Sequence, residues 1–331
     1  MNRFVKVLGL IAVMLFVVTS CKSNTDKSDT EVVEADSNAN VEQAPFFKLS
    51  VAQWSMHKMI WEGKASPFDF AKKAKEWGFE GIEYVSGLYN EELKKYESSE
   101  EGMKAIVERL KEESVAAGVQ NLLIMVDGEG NLADPDEAVR TEAIENHKKW
   151  VDAAAELGCH SIRVNTFGTN DPALWEVAAA DGLRRLAAYG AQKKIAILVE
   201  NHGWLSSDAP LVMKVINNVN SDYLGTLPDF GNWCVKRKDG ELWGECLEEY
   251  PDMYDGIERM MTKAHAVSAK SYDFDEAGNE TKIDYKRMLQ IIKDAGYTGY
   301  IGVEYEGGRL GEEEGIIATK ELLVNASKEL N

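Results

Sequence analysis

Ile195–Glu200 reads IAILVE, five apolar residues followed directly by a carboxylate. Leu224–Asp229 (LGTLPD) and Tyr300–Glu304 (YIGVE) repeat the arrangement, each ending in an acid. Short, nearly continuous runs of this kind are typical of strands buried on both faces of a parallel sheet. Because a parallel barrel gathers the carboxyl ends of its strands at one mouth, the three acids are expected to converge there.

The rest of the chain from Phe46 onward alternates strand-like and helix-like segments in eight units. The predicted strands are Phe47–Gln53, Gly81–Val85, Val119–Val126, His160–Asn165, Ile195–Glu200, Leu224–Asp229, about Ala264–Lys270 and Tyr300–Glu304. Gly78, Gly118 and Gly158, spaced forty residues apart, are predicted to end helices. No glycine-rich phosphate loop follows a strand, which disfavours a doubly wound dinucleotide fold. The pattern therefore predicts an α/β fold, a single-domain (β/α)8 TIM barrel.

The amino terminus has the pattern of an export signal. Residues 1–20 carry two cations and then an almost wholly apolar run, too short for a transmembrane span. Val18–Cys21 resembles a bacterial lipobox, which implies cleavage before Cys21, lipidation of its thiol and membrane anchoring toward the periplasm or the cell surface. The alternative is a plain signal peptide followed by a chance cysteine. Residues 21–45 are polar and acidic, which predicts a disordered tether ahead of a folded domain at 46–331.

Charge and cysteine content narrow the classes of partner. The formal charge is −19, and it becomes −21 once residues 1–20, whose only charged residues are Arg3 and Lys6, are removed. Such an acidic surface repels phosphate backbones and excludes nucleic acid as a partner. Beyond Cys21 the chain has Cys159, Cys234 and Cys246, which is compatible with one disulfide, Cys234–Cys246, but not with a disulfide scaffold.

Strand parity adds candidates to the predicted mouth of the barrel, since alternate strand residues face the same side. Arg163 and Asn165 share one face of the fourth strand. His202 shares the face of Glu200 after the fifth strand, and Glu83 is taken to end the same kind of run on the second. Converging carboxylates are metal ligands or acid and base groups, so these side chains are predicted to surround a site of one of these kinds.

Six short motifs together resemble the xylose isomerase-like TIM barrel family, also called the sugar phosphate isomerase/epimerase or AP endonuclease family 2 barrels. The resemblance covers about residues 47–328. It rests on Gln53-Trp54-Ser55, Gly81-Ile82-Glu83, Ile162-Arg163-Val164-Asn165, Val199-Glu200-Asn201-His202, Leu227-Pro228-Asp229-Phe230-Gly231-Asn232 and Gly299-Tyr300-Ile301-Gly302-Val303-Glu304.

The resemblance implies one divalent metal ion, Mn, Mg or Zn, held by Glu, Asp, His and Glu. The first, second and fourth ligands would be Glu200, Asp229 and Glu304, and the two glutamates would exchange a proton with the substrate beside a polarised carbonyl. Ser268 stands at the usual place of the histidine, and serine is a poor ligand for Zn²⁺ or Mn²⁺. His202 has the parity to supply the fourth ligand instead.

Lys270 follows two residues after Ser268 and is a second departure from the metal site that the resemblance implies. Its ammonium could pair with Glu304 or Asp229 and replace part of the effect of an ion. It could also bind or protonate a substrate oxygen. The third alternative is a surface lysine at a strand end.

Aromatic residues concentrate in the predicted loops. His57 lies in the loop after the first strand, where the family resemblance implies contact with a sugar hydroxyl; the alternative is a solvated histidine. Loop tryptophans suit stacking on sugar rings, or else they close the top of the barrel as core. They are Trp54, Trp61, Trp204, Trp233 and Trp243. The long segment Phe230–Tyr250 holds three cations and is predicted to be a lid with an anion contact.

These features predict a carbohydrate-active isomerase or epimerase that abstracts a proton next to the carbonyl of a free or oxidised sugar outside the cytoplasm. The alternatives are a keto-glycoside lyase or hydratase on the same barrel and, because of Ser268, a non-catalytic sugar-binding lipoprotein. The predicted catalytic residues are Glu200, Glu304 and Lys270, and the predicted substrate contacts are His57, Glu83, Arg163, Asn165, His202 and Trp54. The expected partners are a small carbohydrate and, through Cys21, a membrane; the oligomeric state is not predicted.

Overall fold

The computed structural model describes residues 44–330 of the chain. The predicted signal peptide, the lipidation site Cys21 and the tether up to residue 43 lie outside the described residues and stay predictions. Within residues 44–330, no helix is both long and apolar enough to cross a lipid bilayer.

Eight of the ten strands in this region form a parallel barrel. The strands are β1 (Lys48–Ala52), β2 (Gly81–Val85), β3 (Gln120–Val126), β4 (Ser161–Val164), β5 (Ala196–Glu200), β6 (Leu224–Leu227), β7 (Cys234–Arg237), β8 (Cys246–Glu249), β9 (Val267–Ser271) and β10 (Tyr300–Tyr305). The order around the barrel is β1-β2-β3-β4-β5-β6-β9-β10, with β10 paired to β1. Single bridges at Thr226–Ala264 and Asp229–Ser268 join β6 to β9 and close the ring. The predicted TIM barrel is confirmed.

Helices follow the barrel strands, and the longer ones cover its outer surface. They are α1 (His57–Trp61), α2 (Phe70–Glu76), α3 (Asn90–Leu93), α4 (Ser99–Ala117), α5 (Glu137–Leu157), α6 (Pro172–Lys193), α7 (Ala209–Val219), α8 (Met253–Met261), α9 (Tyr285–Asp294) and α10 (Glu312–Lys328). Aspartate side chains at residues 136, 171, 208, 252 and 284 accept backbone N–H bonds in the first turns of α5 to α9. These caps satisfy otherwise unpaired donors and place a negative charge at the positive helix end.

The glycines that were predicted to end helices lie at the C-terminal ends of those helices. Gly118 and Gly158 cap α4 and α5 with φ of 66° and 77°, and Gly78 follows α2 with φ of 79°. Each adopts the left-handed conformation that glycine reaches without steric cost. The forty-residue spacing therefore reports the strand–helix repeat.

The inside of the barrel changes from apolar to polar along its axis. A small core cluster, which includes Leu123, Leu198 and Leu227, fills the lower layers with side chains that are fully buried. Leu198 precedes Glu200 by two residues and shares its face, so the layer of polar side chains lies directly above these apolar layers. A larger core lies between the strands and the outer helices.

The segment predicted as a lid is a β-hairpin. Strands β7 and β8 pair antiparallel, and a disulfide between Cys234 and Cys246 joins them across twelve residues. The disulfide that the sequence allowed is therefore formed, and Cys159 is the buried free cysteine of the described region. The hairpin stands at the carboxyl end of the barrel and supplies part of the wall of the site described next.

A candidate active site at the carboxyl end of the barrel

Three buried acids meet at the carboxyl ends of the strands. Glu200 ends β5, Asp229 follows β6 by two residues and Glu304 lies near the end of β10. One carboxylate oxygen from each lies within 4.8 Å of the other two, and none of the side chains is more than slightly exposed. The structure thus brings together the three acids that the apolar runs predicted to converge.

Ser268 links two of these acids. Its hydroxyl oxygen lies 2.5 Å from Asp229 Oδ2 and 2.9 Å from Glu304 Oε2, so its single proton serves one carboxylate at a time. The other oxygen of Asp229 accepts a backbone N–H bond from Gly231 at 2.8 Å. The residue at the expected histidine position therefore acts as a hydrogen-bonding bridge inside the cluster.

Lys270 is buried within the cluster and is not a surface lysine. Its Nζ lies 3.2 Å from Glu304 Oε1, 3.4 Å from Glu306 Oε2 and 4.0 Å from Asp229 Oδ2. Burial opposes its charge, but the three carboxylates outweigh burial and hold the pKa of Lys270 well above its usual range. Of the three alternatives for Lys270, the structure supports pairing with the acids.

Arg163 supplies the second buried cation. Its Nε lies 2.8 Å from Glu200 Oε2, without the alignment of a hydrogen bond, and its Nη1 donates to Asp127 Oδ1 at 2.8 Å. Asn165 donates to the same Asp127 oxygen at 2.7 Å. Arg163 and Asn165 share a face, as their parity predicted, and Asp127 orients both.

The environment separates the pKa values of the acids. Burial raises the pKa of Glu200, Asp229 and Glu304, and the nearby cations offset this only in part. Burial also opposes ionisation of Glu306, but Lys270 and the Trp54 indole N–H outweigh it and lower the pKa of Glu306. The pKa values of Glu304 and Glu306, which lie two residues apart on one face, are therefore displaced in opposite directions.

A cavity of about 880 Å³ opens above this cluster. Five predicted site residues line it, namely Trp54, Arg163, Asn165, His202 and Glu304. Other polar residues that were not among the predicted site residues also line it, including Asp127, Glu306 and Asn232. Two of these positions could have been predicted from the sequence. Asp127 directly follows the apolar run of β3, and Glu306 shares the parity of Glu304.

Glu200 lies just below the cavity wall. It is 2% exposed, beneath Arg163 and an Asn232 amide that donates to its Oε1 at 3.3 Å. Asn232 adopts a positive φ of 60°, a strained conformation that is common at functional sites. The catalytic role of Glu200 stays a prediction, whereas Glu304 and Glu306 reach the cavity directly.

His202 shares the cavity-facing side of Glu200 but is outside the acid cluster. Its Nδ1 lies 2.7 Å from Asn165 Oδ1, an oxygen that also faces Arg163, so the network assigns the proton to Nδ1. Burial and the charge of Arg163 lower the pKa of His202 to about 3, which keeps the ring neutral. The acids Glu200, Asp229 and Glu304 form the converging group without His202, so its role as a fourth metal ligand stays a prediction.

His57 corrects a predicted substrate contact. Its ring stacks on Trp54 at 4.3 Å and meets the edge of Trp61 at 4.8 Å, and its Nδ1 lies 3.5 Å from Glu312. It is buried behind the two tryptophans and does not line the cavity. His57 is therefore neither a sugar contact nor a solvated loop residue, because the aromatic pair covers it.

The five loop tryptophans divide into two groups. Trp204 and Trp233 are buried and belong to the core. Trp54, Trp61 and Trp243 line the cavity. The core alternative therefore holds for Trp204 and Trp233, whereas sugar stacking by the three cavity tryptophans stays a prediction.

Glu83 lies one layer deeper than predicted. Its Oε1 accepts a 2.6 Å bond from Ser50, its Oε2 has no partner among the described residues, and its carboxylate lies against Gly302, two residues below Glu304. It is 1% exposed and does not line the cavity, so the predicted substrate contact is not supported. Burial raises its pKa to about 8, which keeps it protonated at neutral pH.

Substitution of the buried Glu83 is expected to increase the stability of the protein by an amount that depends on pH. The folded pKa of Glu83 lies above the unfolded value, so its contribution is fully present below pH 4.5 and is lost as pH rises toward about 8. Glu83→Gln keeps the Ser50 bond and removes this loss, at about 1.4 kcal/mol per pH unit. Urea unfolding of both proteins between pH 5 and 8 checks the trend. The exposed Glu80→Gln serves as control, and a pH-independent difference for Glu83→Gln would contradict it.

A family model, described as xylose isomerase-like TIM barrel, matches residues 71–325. The chain belongs to this family. The match runs from α2 into α10 and leaves out β1 and α1, and the family resemblance is confirmed.

Two curated relatives of this xylose isomerase-like barrel are enzymes of sugar chemistry. The L-ribulose-5-phosphate 3-epimerase UlaE of Salmonella heidelberg (strain SL476) is 22% identical over 233 residues, 68% of this chain and 77% of the relative. The C-glycoside deglycosidase alpha subunit of Arthrobacter globiformis is 39% identical over 64 residues, 18% of each protein. Among solved structures, IolI protein with a bound zinc atom has a TM-score of 0.60 at 16% identity, covering 86% of this chain and 99% of IolI.

The donor set of this family member fits a divalent ion. Five acids surround the site, counting Asp127 and Glu306, against the two cations Arg163 and Lys270, which leaves excess negative charge in a buried place. Oxygen ligands suit hard divalent ions. Glu200 Oε2 is also buried without a hydrogen-bond partner among residues 44–330. Glu200, Asp229 and Glu304 would therefore hold the ion.

Proposed function

We propose that this protein is a sugar epimerase or isomerase that removes and returns a proton on a carbon next to a carbonyl group. The observation that carries the proposal is the pair Glu304 and Glu306. Both line the cavity, both contact Lys270, and their pKa values are displaced upward and downward respectively. An ionised carboxylate beside a carboxyl group held toward its protonated form is the arrangement that acid–base catalysis requires.

Each residue has a separate task in this chemistry. Glu306, the more exposed of the two, takes the proton, and Glu304 supplies one, while Lys270 keeps both carboxylates in place. His202 donates through Nδ1 to Asn165, which leaves Nε2 as an acceptor for a sugar hydroxyl. A divalent ion bound by the three converging acids would polarise the carbonyl and the adjacent hydroxyl.

The cavity favours a sugar without phosphate. Four acids line it, namely Asp127, Glu129, Glu304 and Glu306, against the two arginines Arg163 and Arg237. Arg163 is already engaged by Asp127 and Glu200. A phosphate group would therefore be repelled, whereas a neutral free or oxidised sugar meets acceptors for its hydroxyl groups.

Proton exchange with solvent tests the proposal. The protein is incubated in D₂O with Mn²⁺ and a panel of ketohexoses and 3-keto glycosides. Deuterium is expected to appear by NMR at the carbon next to the carbonyl of at least one of them. Absence of exchange with every sugar, together with measurable sugar binding, would instead favour the non-catalytic sugar-binding lipoprotein.

A second candidate is a keto-glycoside lyase, favoured by the short match to the C-glycoside deglycosidase subunit. A base would take the proton next to the keto group, the bond to the aglycone would break, a double bond would form, and the aglycone would leave with a proton. The same incubation separates the two functions. A lyase releases the aglycone, whereas an epimerase returns a deuterated sugar with the aglycone still attached.

We also propose that the protein is exported and anchored through a lipid on Cys21, a proposal supported by the apolar run and the lipobox-like Val18–Cys21. The wild-type chain produced in a bacterium is expected to partition into the detergent phase of Triton X-114. Cys21→Ser and a chain that begins at Lys22 are expected to remain in the aqueous phase. Aqueous partitioning of the wild type would refute the anchor.

A further inference from the structure

The cavity above the acids has two large aromatic side chains that are open to solvent. Trp61 is 64% exposed and Trp243 is 48% exposed, and both line the cavity. Exposed tryptophans represent apolar surface that costs free energy in water unless a ligand covers it. Two of them on one cavity indicate a place where an apolar face of a ligand binds.

The two tryptophans belong to opposite walls of the cavity. Trp61 meets the edge of Trp54, which follows β1, at 5.3 Å. Trp243 contacts His202, which follows β5, at 4.9 Å. β1 and β5 are four positions apart in the ring of eight strands, so they stand across the barrel from each other. The aromatic side chains therefore flank a cleft above the polar floor.

The hairpin fixes the position of Trp243. The disulfide joins β7 to β8, and the Arg237 guanidinium lies 5.6 Å from the Trp243 ring while it donates to Gly244 O at 2.7 Å. Phe167 supports the other edge of Trp243 at 6.1 Å. An aromatic ring that contacts Arg237, Phe167 and His202 is pre-organised, which reduces the entropy cost of ligand binding.

The cavity has two regions at different depths. Glu304 and Glu306 lie at the floor near the strand ends, whereas Trp61, the last residue of α1, and Trp243, between β7 and β8, lie above them. The volume of about 880 Å³ is near the upper end of the range for sites that enclose drug-sized ligands. A single sugar ring on the floor would leave the aromatic region uncovered.

We infer that the substrate is a glycoside, with the reacting sugar on the acidic floor and an aromatic or second sugar ring packed against the exposed tryptophans Trp61 and Trp243. This inference rests on the proposed function for the identity of the floor as a sugar site. It adds a subsite that selects glycosides over free monosaccharides. Aromatic side chains favour such a ring because both carbohydrate C–H faces and aryl groups stack on them.

Binding measurements test the subsite without relying on turnover. The probes are phenyl β-glucoside and phenyl β-galactoside, each compared with its free hexose by isothermal titration calorimetry. The phenyl glycosides are expected to bind at least tenfold more tightly than the hexoses. Trp243→Ala and Trp61→Ala are expected to reduce this margin to less than threefold while the weaker affinity for the hexose is unchanged.

Controls keep the inference falsifiable. Tyr96→Ala removes an exposed aromatic ring that does not line the cavity. The ratio of glycoside affinity to hexose affinity is expected to stay unchanged in this variant. Trp243→Phe is expected to retain most of it, and unchanged melting temperatures exclude unfolding. Equal binding of glycoside and hexose, or a margin unaffected by both alanine variants, would overturn the subsite. Failure of deuterium exchange with the margin intact would count against the proposed function alone.

Discussion

Glu304→Gln is expected to reduce deuterium exchange into the substrate by about 10²- to 10⁴-fold, the usual contribution of a positioned acid–base group. The substitution preserves the shape of the side chain and the Ser268 contact but removes the titrating proton. It also deprives Lys270 of its nearest carboxylate, at 3.2 Å. The measurement is the rate of solvent exchange at saturating substrate, followed by NMR.

The control for this variant is Glu313→Gln, on the outer helix α10, where the carboxylate is largely exposed and pairs loosely with Lys73. Its exchange rate is expected to equal that of the wild type. Substrate affinity is measured in parallel, because loss of binding would also slow exchange at low substrate. A Glu304→Gln variant that retains more than a tenth of the wild-type rate would remove Glu304 from the proposed chemistry.

The convergence of the acids could be predicted because it depends on strand ends alone. Each of Glu200, Asp229 and Glu304 closes a short buried run, and the barrel brings those ends together irrespective of loop structure. That Arg163 and Asn165 point to the same side of their strand could be predicted in the same way, from the two-residue periodicity of a strand. These features are local, so one sequence is sufficient to find them.

The features that were missed depend on contacts between distant segments. His57 is covered because Trp54 and Trp61 enclose its ring, and the sequence says only that all three are near one another. Glu83 lies too low because β2 continues two residues beyond it to Val85, so its carboxylate is in the middle of the strand and lies against Gly302 of β10.

The acidic floor explains why two cations are built into the same layer. Glu200 faces Arg163, and Glu304 and Glu306 share Lys270, so each carboxylate near the cavity has at least one cationic neighbour. These pairs do not neutralise the floor completely. Burial, and to a smaller extent the neighbouring carboxylates, raises the pKa of the central acids, and the uncompensated acid set leaves a place that favours a divalent cation.

Lys270→Met is expected to destabilise the folded protein by about 3–5 kcal/mol at pH 8, because removal of one partner leaves buried carboxylates uncompensated. Methionine retains most of the length and volume of the lysine stem. Without the ammonium, the folded pKa values of Glu304 and Asp229 rise further above their unfolded values. The loss of stability is therefore expected to grow as pH increases from 5 to 8, which urea unfolding at each pH measures.

The response to metal makes this variant informative about the site as a whole. Mn²⁺ would replace part of the missing charge among Glu200, Asp229 and Glu304, so it is expected to raise the melting temperature of Lys270→Met more than that of the wild type. Lys286→Met, which breaks an exposed pair with Glu329, is the matched control and is expected to cost less than about 1 kcal/mol. If Lys270→Met behaved like this control, or if Mn²⁺ stabilised neither protein, the acids would not form the electrostatically coupled, ion-binding cluster described above.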